Sequence, residues 1–589
     1  MAERIIDYIS GIEVNFSPEE IEATQVFSKI LVEDYNYPKE NIQTRPQYRV
    51  KVRPSDLKKE YPVDIAVFKN SSKTDDNVHI IVECKKKNRK DGQSQLEDYL
   101  RFSKAQLGVW FNGDDKLIIR KLEKDGEIFF EEIPDIPSYG QRVEDVGLYK
   151  RKNLQEPKHL KSIFKTMRNY LAGNVIGATR DEILAQQLIN IIFCKIYDER
   201  YTKPDDMVRF RAGVNENPND IRNRLYEIFM DVKEKYSDVI DFSDTINLDE
   251  KSITYVIGSL QKYCLIEASR DAIGDAFEVF IGHALKGGQG QFFTPRNIVK
   301  MIVEMLNLSI KDKIIDPCCG SGGFLVEALR EVWKKVEILY NDLGWSKNEI
   351  EVEKQKIAID NFRGLDKDYF LSKVCKAHMA IIGDGRAGVF CENSLEKPEN
   401  WQSKTQDKIK LGQFDVVITN PPYGSKIKVD GKEILSQFEM AHKWKKGKDG
   451  IWKKGTVKTS DSPQYLFVER CMQFLKPGGR MALVLPDGIF GNGQLEYLRE
   501  YILDNSRILA IIDIPKETFM PNTSTKTSVL VVQKNKTIGR IKDSYPIFMA
   551  VCDTCGHDRR GNLIDNIPDD ILEVADNYKK WCDENGITY

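Results

Sequence analysis

The residues best suited to specific chemistry in this 589-residue chain stand at the end of one apolar run. In "FDVVITNPPYG", Asn420, Pro421, Pro422 and Tyr423 follow a stretch that reads as a buried strand. The side-chain oxygen of Asn420 and a backbone carbonyl held by the prolines can accept both hydrogens of an exocyclic amine on a nucleic-acid base. Such an amine is a poor nucleophile, because its lone pair is delocalised into the ring. Two converging acceptors localise electron density on the nitrogen, a preorganised electrostatic device. Tyr423 can stack on the base, which must leave the duplex to be reached. The plain alternative is a diproline turn after a core strand. A second motif upstream weighs against it. "IIDPCCGSGGFLVEA", from Ile314 to Ala328, reads as strand, glycine loop and helix. After Asp316, the run Gly320, Ser321, Gly322, Gly323 would let a ligand approach the backbone at the carboxyl edge of that strand. Alone, this turn would fit any nucleotide site or a structural turn. Its Asp-Pro opening and the lack of a Walker lysine disfavour a phosphate loop.

A different chemistry is suggested near the N-terminus. "YPVDIAVFKN" and "VHIIVECKKKN" read as strands and carry Asp64, Glu83 and Lys85 in a D…ExK pattern. Asp64 and Glu83 on adjacent strands could hold Mg²⁺, which takes few protein ligands and otherwise keeps waters. Lys85 could orient or activate water against a phosphodiester. Gln95 and Tyr99 add a QxxxY pattern on the following helix, and Glu33 is a further acidic candidate on the first helix. D…ExK alone says little in a chain with 90 acidic and 88 basic residues. The order of the motifs and the apolar strands around them give it weight. Cys552, Cys555 and His557 lack a fourth ligand at the usual spacing and are not read as a zinc site. The stretch "HKWKKGKDGIWKKG" (His442 to Gly455) is either a solvated loop or a contact for phosphates or bases.

The elements that must position these residues fall into four segments. Residues 1–145 read as mixed α/β and residues 150–270 as almost wholly helical. Residues 271–540 alternate apolar strands ("KIIDP", "FDVVITN", "RMALVLP", "RILAIIDI", "KTSVLVVQ") with helices, the pattern of a doubly wound parallel sheet. Residues 541–589 read as a last strand and helix. Hydrophobic residues are 41% and charged residues 30%, an ordinary globular balance. No apolar run approaches the roughly 18 residues of a membrane span, and the first residues lack a secretory core, so the expected compartment is the cytoplasm. The 11 scattered cysteines are expected to be mostly reduced and often buried. A net charge of −2 is low for a nucleic-acid binder, so phosphate contacts would come from local patches or a partner.

The C-terminal motifs resemble the amino-methyltransferases, and specifically the modification subunit of Type I restriction systems. "GDAFEVFIGHALKGGQGQFFTPRNIVKMIVEML" (Gly274 to Leu306) is similar to that family's segment before the glycine loop. "RGLDKDYFLSKVCKAHMAIIGDG", "LKPGGRMALVLPDGIF" and "FMPNTSTKTSVLVV" also match its pattern, and 150–270 resembles its helical domain. The resemblance covers about 150–589 and implies a Rossmann-like methyltransferase domain using S-adenosyl-L-methionine. It implies that Gln291, Phe292, Phe293, Thr294, Pro295 and Arg296 line the methionine and adenosine pocket. It makes Asp366 the partner of the ribose hydroxyls. In "VFCENSL", Glu392 and Asn393 stand where the family has an acidic residue near the adenine ring; the departure leaves the choice open.

Asparagine at the first motif position implies adenine N6 as the target, with cytosine N4 the alternative amine. Residues 1–145 resemble the PD-(D/E)xK nuclease domain of Type I restriction subunits, which implies a Mg²⁺-dependent endonuclease or an inert relative of one. About fifty residues follow the catalytic segment, fewer than the roughly 100–200 of a domain, so recognition of double-stranded DNA is expected from a separate specificity subunit. A second copy of the chain and a separate restriction or translocase subunit are further expected partners. No GxxxxGK[ST] motor motif is present. The alternatives are a modification subunit with an inactive nuclease-like domain and a non-catalytic DNA-binding subunit.

Overall fold

The computed structural model describes residues 4–51, 60–87, 89, 91–174, 181–268, 294–382, 385–424, 427–521, 523–537, 539–560 and 568–587. They belong to two compact units, 1–284 and 285–589.

The first unit is built on a six-stranded sheet. Its strands are β1 (Ile42–Gln43), β2 (Ile65–Phe68), β3 (Val78–Cys84), β4 (Leu107–Phe111), β5 (Lys116–Lys124) and β6 (Glu127–Glu132), in spatial order β6-β5-β4-β3-β2-β1. Only β3 and β4 run parallel, because helix α2 (Gln93–Phe102) crosses between them. β2 and β4 are buried along their length, and β3 nearly so, because the sheet is covered on both faces. Side chains of alternating parity diverge to opposite faces. Ile65 and Val67 pack with Phe27 and Leu31 of α1 (Gln25–Glu33), while Ala66 and Phe68 pack with Leu96, Tyr99 and Leu100 of α2. Helices α3 (Leu160–Asn174), α4 (Asp181–Tyr201), α5 (Pro218–Lys235) and α6 (Glu250–Leu260) follow. Caps define α5 and α6: Asn217 accepts from the Asn219 amide ahead of Pro218, and Asp249 accepts from the Ser252 amide. The helices join the α/β layer through polar contacts, among them Tyr263 to Asp34 at 2.8 Å and Lys251 to Glu132 at 2.8 Å.

The second unit holds an eight-stranded sheet. In chain order its elements are α7 (Arg296–Met305), β7 (Ile314–Asp316), α8 (Gly323–Asp342), α9 (Lys347–Asn361), β8 (Phe362–Asp366), α10 (Tyr369–Ile382), β9 (Val389–Cys391) and β10 (Phe414–Thr419). There follow the hairpin strands β11 (His442–Lys446) and β12 (Trp452–Val457), which lie outside the main sheet, then α11 (Pro463–Phe474), β13 (Leu475–Pro486), α12 (Glu496–Asn505), β14 (Ser506–Asp513), β15 (Thr527–Lys534), β16 (Phe548–Val551) and α13 (Ile571–Glu584). The strand order is β9-β8-β7-β10-β13-β15-β14-β16. Seven strands share one direction and β15 is reversed, pairing antiparallel with both β13 and β14. The doubly wound sheet is therefore parallel except at β15. A parallel return needs a crossover, usually a helix, and among the described residues of 514–526 the one helical element is the short turn Lys516–Phe519. The core lies on both faces: Ile314, Val416 and Ile418 join one cluster, and Ile315 and Val417 the other. Strand β16 and helix α13 complete this core, with Tyr578 and Ile571 buried. Among the described residues no helix is long and apolar enough to cross a membrane. All 11 cysteines are free thiols, nine of them buried.

Candidate functional site

The strand order of the second sheet reverses between β7 and β10, and ligands of open α/β sheets bind outside the carboxyl ends of strands at such a point. Both motifs lie there. Asp316 ends β7 and the glycine loop follows; Thr419 ends β10 and Asn420 follows. A buried bond ties the two ends together, since Thr419 Oγ1 donates to Asp316 Oδ1 at 2.6 Å, and the same oxygen accepts from the Cys318 amide at 3.1 Å. Burial pushes the Asp316 carboxyl up to about 7. The loop is anchored at several further points. The Cys319 amide donates to the Leu365 carbonyl at 2.9 Å, and the Ser394 hydroxyl donates to the Pro317 carbonyl. Gly322 has φ +88°, and a Cβ there would sit 2.7 Å from the Cys375 sulfur, so the entry to α8 has room only for glycine. At Gly320 and Gly323 a Cβ would meet nothing within 4 Å, which leaves an open cradle over the loop. That cradle fits a cofactor lying along the backbone.

Asp366 ends β8 and is 7% exposed. One carboxylate oxygen accepts from the Gly320 amide at 2.9 Å and the other from the Asp368 amide at 2.9 Å. It therefore braces the glycine loop, and each oxygen retains a lone pair for a further donor. Burial raises its pKa. Glu392 is engaged by the Gln402 amide at 2.9 Å and the Thr405 hydroxyl at 3.1 Å. Asn393 accepts from the Leu395 amide at 3.1 Å, which leaves its NH₂ group as the donor of this pair.

Across the crevice, Asn420 carries an incomplete hydrogen-bond set. Its Nδ2 donates to Thr294 Oγ1 at 3.1 Å, while Oδ1 is buried with no partner among the described residues. The Tyr423 hydroxyl is likewise buried and without a partner, and burial raises its pKa. Leaving such a buried polar group unsatisfied costs roughly 1–3 kcal/mol, a cost that a hydrogen-bond donor placed there would offset. Pro421 is buried and Pro422 half-buried beside it. Pro295 and Arg296 open α7 directly after Thr294. Gln291, Phe292 and Phe293 lie outside the described residues. The sequence reading missed Thr419 and the bond from Asn420 to Thr294. Thr419 was visible only as a hydroxyl residue beside the Asn420 motif, and Thr294 was expected to line the cofactor pocket rather than to hold Asn420.

In the first unit, Ile65 pairs with Val82, which sets Asp64 and Glu83 opposite each other one step further along. Asp64 Oδ2 accepts from the Cys84 amide at 2.7 Å. Burial pushes Asp64 up to about 6. Burial, and then the charge of Asp64, pushes Glu83 up to about 7. Lys85 donates to Glu83; burial pulls its pKa down, but that bond and the neighbouring carboxylates outweigh burial and raise it. Gly92, with φ +99°, begins α2 where a Cβ would lie 2.8 Å from Lys85 Cε. Gln95 donates to Tyr99, whose hydroxyl donates to the Pro62 carbonyl at 3.3 Å. The structure thus gathers Asp64, Glu83 and Lys85 at one sheet edge, with Gln95 and Tyr99 on the helix above. Paired hard oxygens are the donor type that suits a divalent cation. Among the described residues no group of three or more His, Cys, Asp or Glu side chains converges as a metal site.

Glu33 does not join this site. It bonds His159 at 2.8 Å and the Tyr8 hydroxyl at 3.2 Å. The acidic residue whose charge reaches Asp64, Glu83 and Lys85 is Glu19. Fourteen helical residues rise about 21 Å, so the two ends of this segment cannot serve the same place.

Comparison with known proteins adds the family context. Residues 268–588 match the family described as N-6 DNA Methylase, and residues 18–137 match Type I restriction enzyme R protein N terminus (HSDR_N). The chain is similar to the Type I restriction enzyme StySPI methylase subunit of Salmonella potsdam, with 26% identity over 376 residues, 61% of this chain and 64% of that protein. It is also similar to the EcoKI methylase subunit of Escherichia coli (strain K12), with 25% identity and the same two coverages. The match thus spans a little under two thirds of these relatives' length. Among solved structures it is similar to the type I restriction-modification system methyltransferase subunit from Streptococcus thermophilus, with 16% identity, 72% of this chain and 94% of that one covered, and a TM-score of 0.48.

Proposed function

This chain belongs to the N-6 DNA methylase family, and from that membership we propose that it methylates N6 of adenine in double-stranded DNA as the modification polypeptide of a Type I restriction-modification system. The observation that carries the reading is the buried, partnerless Oδ1 of Asn420 beside the glycine cradle. S-adenosylmethionine, when bound, supplies an electrophilic methyl group. Residues Gly320 to Gly323 would hold it along the backbone, with Asp366 beside the ribose, Asn393 beside the adenine edge, and Thr294 to Arg296 closing the pocket from α7. Asn420 Oδ1 and a carbonyl of the Pro421-Pro422 turn accept the two N6 hydrogens, which localises the nitrogen lone pair. The methyl group that the cofactor would supply ends on N6, and the N6 proton it replaces would leave to solvent. Thr294 holds the Asn420 amide so that its oxygen faces the amine. Tyr423 offers its ring to the extruded base.

A second activity has its own supporting observation, the meeting of Asp64, Glu83 and Lys85 at one edge. We infer that the N-terminal unit cleaves duplex DNA. Mg²⁺, when bound, supplies a Lewis acid for phosphodiester hydrolysis. Asp64 and Glu83 would hold it, and Lys85 would steer the attacking water. Target choice would come from a specificity subunit. A second copy of this chain and a separate translocating restriction subunit would complete the assembly, with the cytoplasm as its compartment.

The test is a DNA assay on the full chain purified with its specificity partner, S-adenosylmethionine and Mg²⁺. Asn420→Ala should lose about 10²–10³ in methylation rate, the scale for removing one preorganised group, and should keep cutting. Lys85→Ala should lose cutting and keep methylation. Wild-type protein that methylates but never cuts unmodified DNA would reduce the N-terminal unit to a docking module. Failure to bind S-adenosylmethionine would leave only the non-catalytic DNA-binding reading.

A further inference from the structure

Between β10 and α11, residues 429–461 leave the main sheet and return to it. The excursion is closed at its base where Val429 pairs with Asp461 and Asp430 with Ser460, and Lys428 Nζ donates to Ser462 Oγ at 3.0 Å. The chain advances six residues from Tyr423 to Val429, so this base stands within about 22 Å of Tyr423. The excursion carries the β11–β12 hairpin, whose register sets Trp444 against Lys454, Lys445 against Lys453, and Lys446 against Trp452.

Residues opposite one another share a face, and faces alternate along each strand. Trp444, Lys446, Trp452 and Lys454 therefore share one face, and Lys445 and Lys453 the other. The first face is engaged by Tyr497 and Glu496 of the body and by Glu439 of the excursion itself. Trp444 stacks on Tyr497 with ring centroids 5.6 Å apart, and Trp452 lies 5.6 Å from the same ring. Lys446 bonds Glu496 at 2.7 Å, and Lys454 lies 3.6 Å from Glu439. The tryptophans are thus anchors of the hairpin, which removes them as stacking platforms for a base.

The second face is different. Lys443, Lys445 and Lys453 are exposed there, and Lys448 is exposed in the turn. Lys453 pairs only with Asp449 of the same turn, at 3.1 Å, and no ion pair from the body of the unit reaches Lys443, Lys445 or Lys448 among the described residues. Like charges directly across a hairpin, as at Lys445 and Lys453, are destabilising. An external polyanion relieves that repulsion. The chain has no global basic excess, with a net charge of −2, so a local patch on the excursion that follows the Asn420–Tyr423 motif is where phosphate attraction is concentrated. Lysines two apart on a strand lie about 6.8 Å apart, and a duplex presents a phosphate about every 3.4 Å per strand.

We infer that the lysine face of this hairpin grips the phosphate backbone of duplex DNA next to the extruded base. The inference deepens the methylase reading and rests on it for the choice of DNA as the polyanion.

The test is the salt dependence of duplex binding by the full chain, read as fluorescence anisotropy with a labelled duplex over a potassium chloride series. Each phosphate contact contributes a slope of about 0.9 in log affinity against log salt. The variant carrying Lys443→Gln, Lys445→Gln and Lys453→Gln should flatten that slope by up to about 2.7, while the same three positions changed to Arg should keep it. Cofactor binding by the Gln variant should match wild type, which shows that it is folded. An unchanged slope overturns the inference. So does a loss confined to binding of poly-glutamate, which would assign the face to an acidic protein. If wild type fails to bind S-adenosylmethionine yet the slope still flattens in the Gln variant, the grip stands and the methylase reading falls.

Discussion

Thr294→Val isolates the device that aims the target-facing amide. In the structure Thr294 Oγ1 is the acceptor for Asn420 Nδ2 at 3.1 Å, and Asn420 Oδ1 is buried without a partner among the described residues. Valine has nearly the shape of threonine but accepts no hydrogen bond. The Nδ2 group would then be left buried and unsatisfied, at a cost of roughly 1–3 kcal/mol. Swinging the side chain toward solvent escapes that cost by hydrating Nδ2, but it carries Oδ1 away from the incoming amine. The competent orientation is depopulated by the same free energy, so the rate falls by about 5- to 150-fold. The assay is single-turnover methylation of an unmodified duplex with saturating cofactor, beside equilibrium binding of S-adenosylmethionine. The expected result is a slower chemical step with unchanged cofactor Kd, and recovery in Thr294→Ser. A wild-type rate in Thr294→Val would refute the argument. So would a loss confined to cofactor Kd, which would make Thr294 a pocket residue alone.

Two further expectations concern buried carboxylates. Burial raises Asp316 from 3.8 to about 7, so between those values the folded chain holds a proton that the unfolded chain has lost. Stability from this group is therefore present at low pH and falls as pH rises toward 7. Asp316→Asn keeps an acceptor for Thr419 and has no charge to lose. In the absence of cofactor its Tm should decline less than that of wild type from pH 5 to pH 8, about the window spanned by the shift; parallel curves would show that Asp316 does not carry the dependence. Asp64 and Glu83, raised to about 6 and about 7, must ionise to hold a metal. Titrating Mg²⁺ at about pH 6 should release about one to two protons, measured by calorimetry in buffers of different ionisation heat. Binding without proton release would place the metal elsewhere.

The sequence by itself determined the parts of this protein that are contiguous. Asn420 to Tyr423 and Gly320 to Gly323 are short runs whose backbone demands are local, and the apolar runs around them have the period of the strands and helices that form. The pattern of Asp64, Glu83, Lys85, Gln95 and Tyr99 was legible for the same reason, since strand and helix alternation alone sets their spacing. Tertiary structure decided what depends on packing between distant segments. The reversal of β15 follows from a connection without a crossover helix, which an apolar period of two does not reveal. Thr294 meets Asn420 across 126 positions, and Thr419 meets Asp316 across 103. Such pairs leave no local signature, because they come from strand order and the depth of the crevice rather than from neighbours in the chain. The choice of Glu19 over Glu33 is of the same kind. Both carboxylates look equivalent in an acidic helical stretch, and only the direction in which that helix meets the sheet determines which end approaches Asp64 and Glu83.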